Sequence, residues 1–311
     1  MIFELIFMLD LIIIGSSASG MSAAVYAARA ELDFLIVAKD QGGETAEAGL
    51  VENYLGFSSI SGMDLANKFK DHLQNYQPKI IFEEVVSLSR KGETFLVKTA
   101  KQELEAKTVI IASGSVAKRI DAKGEQEFLN KGISYCETCD GPMFKNKNVA
   151  VVGGGNSAIK AALALSEICK KVSILTMESQ LAGEKLMVDK IKAQKNIAII
   201  YQTKTLEFLG AKMLESVKYQ DLKIGKENIL PIDGAFIYVG FKPNTLFIDK
   251  NLDILNSKEE VVIDKIGKTK IPGLFAAGNV VDFPYKQISI AVGSGTLACL
   301  SAINYLKQKS L

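Results

Sequence analysis

The chain has no tryptophan, one histidine, four cysteines and six prolines among its 311 residues. Each scarcity closes something off. With no tryptophan, and with 15 phenylalanines and nine tyrosines scattered along the chain, no aromatic platform exists for stacking nucleic-acid bases. An excess of one charge is also missing. The 37 Lys and Arg face 35 Asp and Glu, a formal net charge of +2 with no polybasic run, so no nucleic-acid partner is expected. A zinc site needs a second pair of ligands beside Cys136 and Cys139, yet Cys169 and Cys299 stand isolated and His72 is the only imidazole. That usage makes no structural disulfide framework either. Cys169 and Cys299, among apolar neighbours, read as inert buried thiols. His72, inside the predicted helix Leu65–Tyr76, reads as a surface or packing residue.

Long hydrophobic runs are scarce as well. The amino terminus, MIFELIFMLDLIIIGSS, is apolar, but Glu4 and Asp10 interrupt it and it lacks a basic leader and a small-residue cleavage site. Its apolar run is shorter than a bilayer span. We read Leu9–Ile14 as a first buried strand, and residues 1–7, ahead of Met8, as a dispensable extension. No other stretch is expected to cross a bilayer. The sequence therefore predicts a soluble, cytoplasmic protein with no membrane partner.

What is present is apolar bulk, 48% of the chain, at a length suited to two domains. Two strand–glycine–helix units dominate. The first runs from Leu9–Ile14 through Gly15, Ser16, Ser17, Ala18, Ser19 and Gly20 into a small-residue helix to about Ala30, then the strand Phe34–Ala38. The second runs from Val149–Val152 through Gly153-Gly154-Gly155-Asn156-Ser157 into a helix to roughly Ile168, then the strand Val172–Thr176. Continuous apolar strands followed by alanine-rich helices predict doubly wound parallel sheets. Lys107–Gly114 and Gly234–Gly240 are further apolar strands ending in glycine, and Ile271–Gly278 is a turn followed by another. The expected fold is α/β: two doubly wound dinucleotide-binding domains, the second inserted into the first. Residues 1–115 and 241–311 would form one domain and 116–240 the other.

A dinucleotide turn needs a residue without bulk beside the pyrophosphate and free N–H groups at a helix start. Gly15 and Gly20 meet this at the outer positions of G-x-G-x-x-G. Ser17 takes the middle one, where its hydroxyl could bond a phosphate oxygen. Asp40 is the nearest acidic residue for a ribose.

The most informative segment is Ser134-Tyr135-Cys136-Glu137-Thr138-Cys139-Asp140-Gly141. A two-residue spacer lets cysteines approach disulfide geometry, and a helix N-terminus beside a thiol lowers its pKa. Asp140 places a carboxyl where a proton must come and go during thiol–disulfide exchange. Redox chemistry is favoured over half a zinc site.

C-E-T-C-D-G between two glycine loops resembles the low-molecular-weight thioredoxin reductases. Gly42-Gly43, Val51–Phe57, Ala112-Ser113-Gly114 and Gly273–Val280 match the same family in order. The resemblance spans essentially the whole chain. It implies FAD on the first domain, with the pyrophosphate at Gly15–Gly20 and other contacts at Gly43, Glu44, Asn53, Ala112, Ser113 and Gly114. Gly278 and Asn279 would meet the ribityl and phosphate end, and Lys286, Gln287 and Ile288 would lie beside the isoalloxazine. Asn279 departs from the family, which usually has Asp there. It also implies that Cys139 is the sulfur nearest the flavin, that Cys136 attacks a thioredoxin-like partner, that Asp140 moves the proton, and that the protein is a homodimer.

The second glycine loop resembles the family's nicotinamide site at Gly154, Gly155, Asn156 and Ser157, with two departures. Lys160 replaces a usual Glu. More important, Thr176, Met177, Glu178 and Ala182 stand where NADPH-dependent members have H-R-R and a further Arg. Each Arg–phosphate contact is worth about 1.5–3 kcal/mol, and Glu178 adds repulsion while suiting a ribose 2′-hydroxyl. NADPH is disfavoured. NADH is one expected donor, and a protein such as ferredoxin is the other. Lysines 145, 147, 170, 171, 185, 190, 192 and 195 suit an acidic redox partner, though a solvated surface is the commoner meaning of such charges. The rival activity is an FAD-dependent dithiol oxidase passing electrons to oxygen. A ferredoxin–NADP reductase of related fold would lack the cysteine pair.

Overall fold

The computed structural model describes residues 8–48 and 50–309, with the backbone alone of Cys139. The expected extension at residues 1–7 lies outside them. The chain divides into two compact units, one made of the chain up to Val116 together with Lys242–Leu311, the other Ala117–Phe241. The fold is α/β, two doubly wound dinucleotide-binding units with the second interrupting the first in sequence.

In the first unit, Leu9–Ile14 lies between Phe34–Ala38 and Glu103–Ile111, all parallel. Ile80–Phe82 extends one edge, and Leu274–Ala276 pairs with the far side of Glu103–Ile111. Both faces are covered, which is why these strands read as unbroken apolar runs. Successive side chains still part to opposite sides. Leu11 and Ile13 join Phe34, Ile36, Ile110 and Phe275 under the helices Ala18–Arg29 and Ile288–Lys309. Ile12 and Ile14 join Leu88, Phe95 and Val97. These last belong to an antiparallel hairpin, Val85–Lys91 and Thr94–Thr99. Leu11 and Ile36 have no exposed surface, and burying each is worth about 1.5–3 kcal/mol.

The two helices meet through small residues. Ser22 Oγ donates to the Val292 carbonyl at 2.9 Å and shares a hydrogen bond with Thr296 Oγ1 at 2.9 Å. The expectation that no further stretch could cross a bilayer needs correction: by length and composition Ile288–Lys309 qualifies. Its small-residue face carries Ala291, Ala298, Ala302 and Ile303 into the core.

The second unit repeats the plan. Its parallel strands run in the order Ile133–Ser134, Gly234–Ile237, Asn148–Val152, Lys171–Leu175, Ile197–Ile200. Val149, Val151, Val172, Ile174 and Phe236 pack with Ala158, Ile159, Ala162 and Leu165 of the helix Asn156–Ser166. On the other face Ala150, Val152 and Leu175 pack with Phe208, Leu214 and Val217. Those come from an antiparallel sheet, Thr203–Gly210, Leu214–Asp221 and Glu227–Pro231. The apolar pattern of the sequence announces neither antiparallel layer.

Candidate functional site

The strand Leu9–Ile14 must end on glycine. Gly15 has φ +115°, and a Cβ there would lie 2.2 Å from the Ala112 carbonyl oxygen. Gly20 packs onto the Gly15 carbonyl. Ser17 is the N-cap of Ala18–Arg29 in extended conformation, and no side chain caps that helix. The amides of Ala18, Ser19 and Gly20 thus sit in a first turn where peptide dipoles favour an anion. Ser16 accepts from the Gly42 amide at 2.8 Å through its carbonyl. Its hydroxyl is buried, with no hydrogen-bond partner among the described residues, a condition that costs stability unless a ligand or water answers it. The cradle fits a dinucleotide pyrophosphate.

Ser17 corrects one expectation. Its hydroxyl spends its proton inside the protein, donating to the Gly42 carbonyl at 2.6 Å, and meets Thr45 Oγ1 at 3.1 Å. It ties the first loop to the short helix Gly43–Glu47. Asp40 lies exposed just past the strand Phe34–Ala38.

Beyond the loop, the candidate residues converge from distant parts of the first unit. Ser113 Oγ donates to the Asn244 carbonyl at 2.8 Å, and the Gly114 carbonyl accepts from the Asn244 amide at 3.0 Å. Ala112 is buried against the sheet. Gly278 and Asn279 form a 3-10 turn with Val280. Asn53 Nδ2 donates to Gln287 Oε1 at 3.1 Å. Ile288 opens the final helix. The Lys286 ammonium is spent inside the protein, on Glu260 at 3.0 Å, on the Asn279 carbonyl at 3.3 Å and on the Val281 carbonyl. Glu44 is a contact residue by the resemblance. Its carboxylate accepts from Ser115 Oγ and Asn279 Nδ2, each at 2.6 Å. Burial pushes its pKa up, and the two donors pull it back.

The second glycine loop keeps the turn of the first. Gly153 has φ +133°, and its Cβ would lie 2.1 Å from the Tyr238 carbonyl oxygen. Gly155 is the N-cap of Asn156–Ser166, again with no side-chain cap, and Ser157 stands in the first turn. Gly154 and Asn156 are engaged from the loop after the next strand. The Gly154 carbonyl accepts from the Ala182 amide at 2.8 Å, and Asn156 Oδ1 from the Glu184 amide at 2.8 Å. Thr176 is buried, and its hydroxyl accepts from the Glu178 amide at 3.3 Å. Met177 and the Glu178 side chain are exposed. No Arg stands at Thr176, Met177, Glu178 or Ala182 to grip a 2′-phosphate.

Cys136 is half-buried and disulfide-bonded, whereas Cys169 and Cys299 are free and buried. The side chain of the expected partner, Cys139, lies outside the described residues. Cys136 directly precedes the helical turn Glu137–Asp140, which runs into a 3-10 turn, Gly141–Phe144. Asp140 is tied back twice. Its amide donates to the Cys136 carbonyl at 3.2 Å, and its Oδ2 accepts from Ser134 Oγ at 2.6 Å. Ser134 Oγ in turn accepts from the Cys136 amide at 3.0 Å.

Three residues around the cysteine had given no signal in the sequence. Ser134 links amide 136 to Asp140. Glu125, buried, accepts from Tyr135 Oη at 2.5 Å; burial first, then that bond, drive the Tyr135 phenol well above its ordinary pKa. Tyr238 receives the Glu137 amide at 3.0 Å and hydrogen-bonds its carboxylate. The cysteine turn is therefore pinned on both sides.

Comparison with known proteins agrees with this geometry. The family model for pyridine nucleotide-disulphide oxidoreductases matches residues 9–295. The thioredoxin reductase of Ureaplasma parvum serovar 3 is 40% identical over 303 residues, 97% of this chain and 98% of that protein. A solved thioredoxin reductase from Lactococcus lactis superposes with a TM-score of 0.93 at 31% identity, covering 96% of this chain and 99% of that one. A ferredoxin-flavin thioredoxin reductase from Clostridium acetobutylicum is also similar, with a TM-score of 0.53, 28% identity, and coverage of 96% and 98%.

Proposed function

The chain belongs to the pyridine nucleotide-disulphide oxidoreductases, within the low-molecular-weight thioredoxin reductases, and from that membership we propose that it is an FAD-dependent thioredoxin-disulfide reductase working through Cys136 and Cys139. The observation that carries the reading is the disulfide-bonded Cys136 beside a carboxylate anchored to its own amide through Ser134.

Ala18, Ser19 and Gly20 would hold the FAD pyrophosphate, with Ser16, Gly43, Ala112, Ser113, Gly114, Gly278 and Asn279 lining the rest of the cradle. When bound, FAD supplies a two-electron carrier between the donor and the disulfide. In the reduced protein the Cys136 thiolate attacks one sulfur of a thioredoxin-like partner's disulfide. The new S–S bond joins Cys136 to that sulfur, and the partner's second sulfur leaves and takes a proton from Asp140. Cys139, losing its proton to the same carboxylate, attacks the Cys136 sulfur. The partner's first sulfur leaves Cys136 and takes that proton back from Asp140, so the partner departs as a dithiol and the Cys136–Cys139 disulfide re-forms. Asp140 is suited to this shuttle because Ser134 fixes it one turn from the sulfur that must gain and lose charge.

For the donor we favour NADH or an acidic redox protein such as ferredoxin over NADPH. The exposed Glu178 and the absence of arginine at the strand end support that choice. Lysines 145, 147, 170, 171, 185, 190, 192 and 195 are all exposed, and none makes an ion pair among the described residues. Exposed cations without ion-pair partners suit an acidic partner. The same reading makes the protein a cytoplasmic homodimer, in keeping with its cysteine usage and its resemblance.

An anaerobic titration of the purified protein with NADH, NADPH and reduced ferredoxin in turn tests the donor, with flavin bleaching as the signal. Rapid bleaching at micromolar NADPH would sink that part. A Cys136→Ser/Cys139→Ser variant should keep the flavin spectrum and lose thioredoxin reduction. A colourless protein that refuses FAD overturns the whole reading. Peroxide formed from dithiols and oxygen without thioredoxin would instead favour the oxidase.

A further inference from the structure

The Glu44 carboxylate plays no part in the thiol chemistry, and the structure surrounds it with care. Both oxygens are engaged, Oε1 by Ser115 Oγ and Oε2 by Asn279 Nδ2, each at 2.6 Å. Residues 44, 115 and 279 come from the short helix after the first loop, the chain just past Glu103–Ile111, and the 3-10 turn Gly278–Val280. Gly114, at φ +65°, carries the chain from Ser113 to Ser115 beside this cluster.

An asparagine amide is ambidextrous: rotated by half a turn it exchanges a donor for an acceptor at little cost. Both Glu44 oxygens accept here, and beside a group engaged only as an acceptor that freedom ends. The Asn279 backbone is steadied as well, its carbonyl accepting from Lys286 Nζ at 3.3 Å. With Nδ2 committed to Glu44, Oδ1 is left with no donor among the described residues.

We infer that Glu44 is a positioning residue that locks the Asn279 amide with Oδ1 outward, as the acceptor for a hydroxyl of the FAD ribityl chain. This rests on the FAD reading above. It also accounts for Asn279. An aspartate there would set two carboxylates 2.6 Å apart, which cannot both ionise. One acid and one amide form a compatible pair, and the acid here sits at 44.

The test is a double-mutant cycle read by FAD affinity, using flavin fluorescence titration of the apoprotein, with melting temperature confirming that each variant folds. Glu44→Gln frees the amide to turn and should weaken FAD about tenfold, the upper scale of one lost neutral hydrogen bond. Asn279→Asp, with two acids face to face, should weaken it by at least as much. Combining Glu44→Gln with Asn279→Asp exchanges acid and amide and should recover affinity to within about threefold of the wild type. Single variants that bind FAD as the wild type does overturn the inference, and so does a double variant that merely adds the two losses. Should Asn279→Asp fail to fold, Glu44→Gln against Glu44→Asp decides, because only the second keeps at position 44 a group that accepts from Asn279 without also being able to donate to it. A wild-type apoprotein that takes up no FAD sinks this inference together with the flavin reading, so the two failures are distinguishable.

Discussion

The two glycine loops share a backbone and differ in what surrounds it. In each, the first glycine adopts a positive φ because its Cα faces a carbonyl of a neighbouring chain segment, at Ala112 or Tyr238. Each feeds a helix of at least eleven residues with no side-chain cap. Around the first loop, Ser17 is tied to Gly42 and Thr45, and the side chains of 44, 115 and 279 lock into one another. Around the second, the residues past the strand end are an exposed Met177 and an exposed Glu178. The turn is what the sheet requires, and the side chains beyond it are what a particular nucleotide requires. A glycine loop is therefore poor evidence for a ligand until the end of the next strand has been read.

Substitution within the loops gives the largest effect. Gly15→Val places a branched side chain at φ +115°, 2.2 Å from a carbonyl. It should unfold the first unit or abolish flavin retention, at a cost above about 3 kcal/mol. Gly155→Ala, whose Cβ would meet nothing within 4 Å, should shift the melting temperature only slightly. Equal shifts in the two variants would break the contrast. Converting the second cradle comes next. Met177→Arg with Glu178→Arg should raise the rate of flavin reduction by NADPH about 10–150-fold for each new arginine–phosphate bond, at roughly 1.5–3 kcal/mol apiece. Stopped-flow bleaching measures it, and an unchanged rate would show that the loop cannot hold a nicotinamide nucleotide at all.

The smallest effect concerns the thiol each unit buries. Burial raises Cys169 to about 11 and Cys299 to about 12, against about 8.5 in an unfolded chain. A raised pKa stabilises the fold fully below the unfolded value, and that stability fades as pH climbs through the folded one. Native protein at pH 8 should resist alkylation at both, and denatured protein should react at both, by mass spectrometry. Fast native labelling of one would mark a loosely packed unit.

The parallel strands and glycine turns were legible because burial on both faces writes unbroken apolar runs such as LIII and VAVV. The antiparallel layers were not. Thr94–Thr99 buries only alternate residues, and its outward Thr and Lys resemble any surface loop. The sequence marked Cys136, Asp140, Glu44 and Asn279 individually, through their motifs. It could not show that Asn279 meets Glu44 across 235 positions, nor that Ser134 anchors Asp140. Such pairings depend on tertiary closure, and a single sequence carries no trace of it.

The interrupted first unit also has a temporal consequence. Its sheet needs Leu274–Ala276, and its helical layer needs Ile288–Lys309, the last described element. During synthesis the uninterrupted Ala117–Phe241 stretch leaves the ribosome complete while its older neighbour still lacks a strand and a helix. The half that starts first finishes last. Nascent chains stalled short of the C-terminal helix would thus present the apolar flank of Ala18–Arg29 to chaperones.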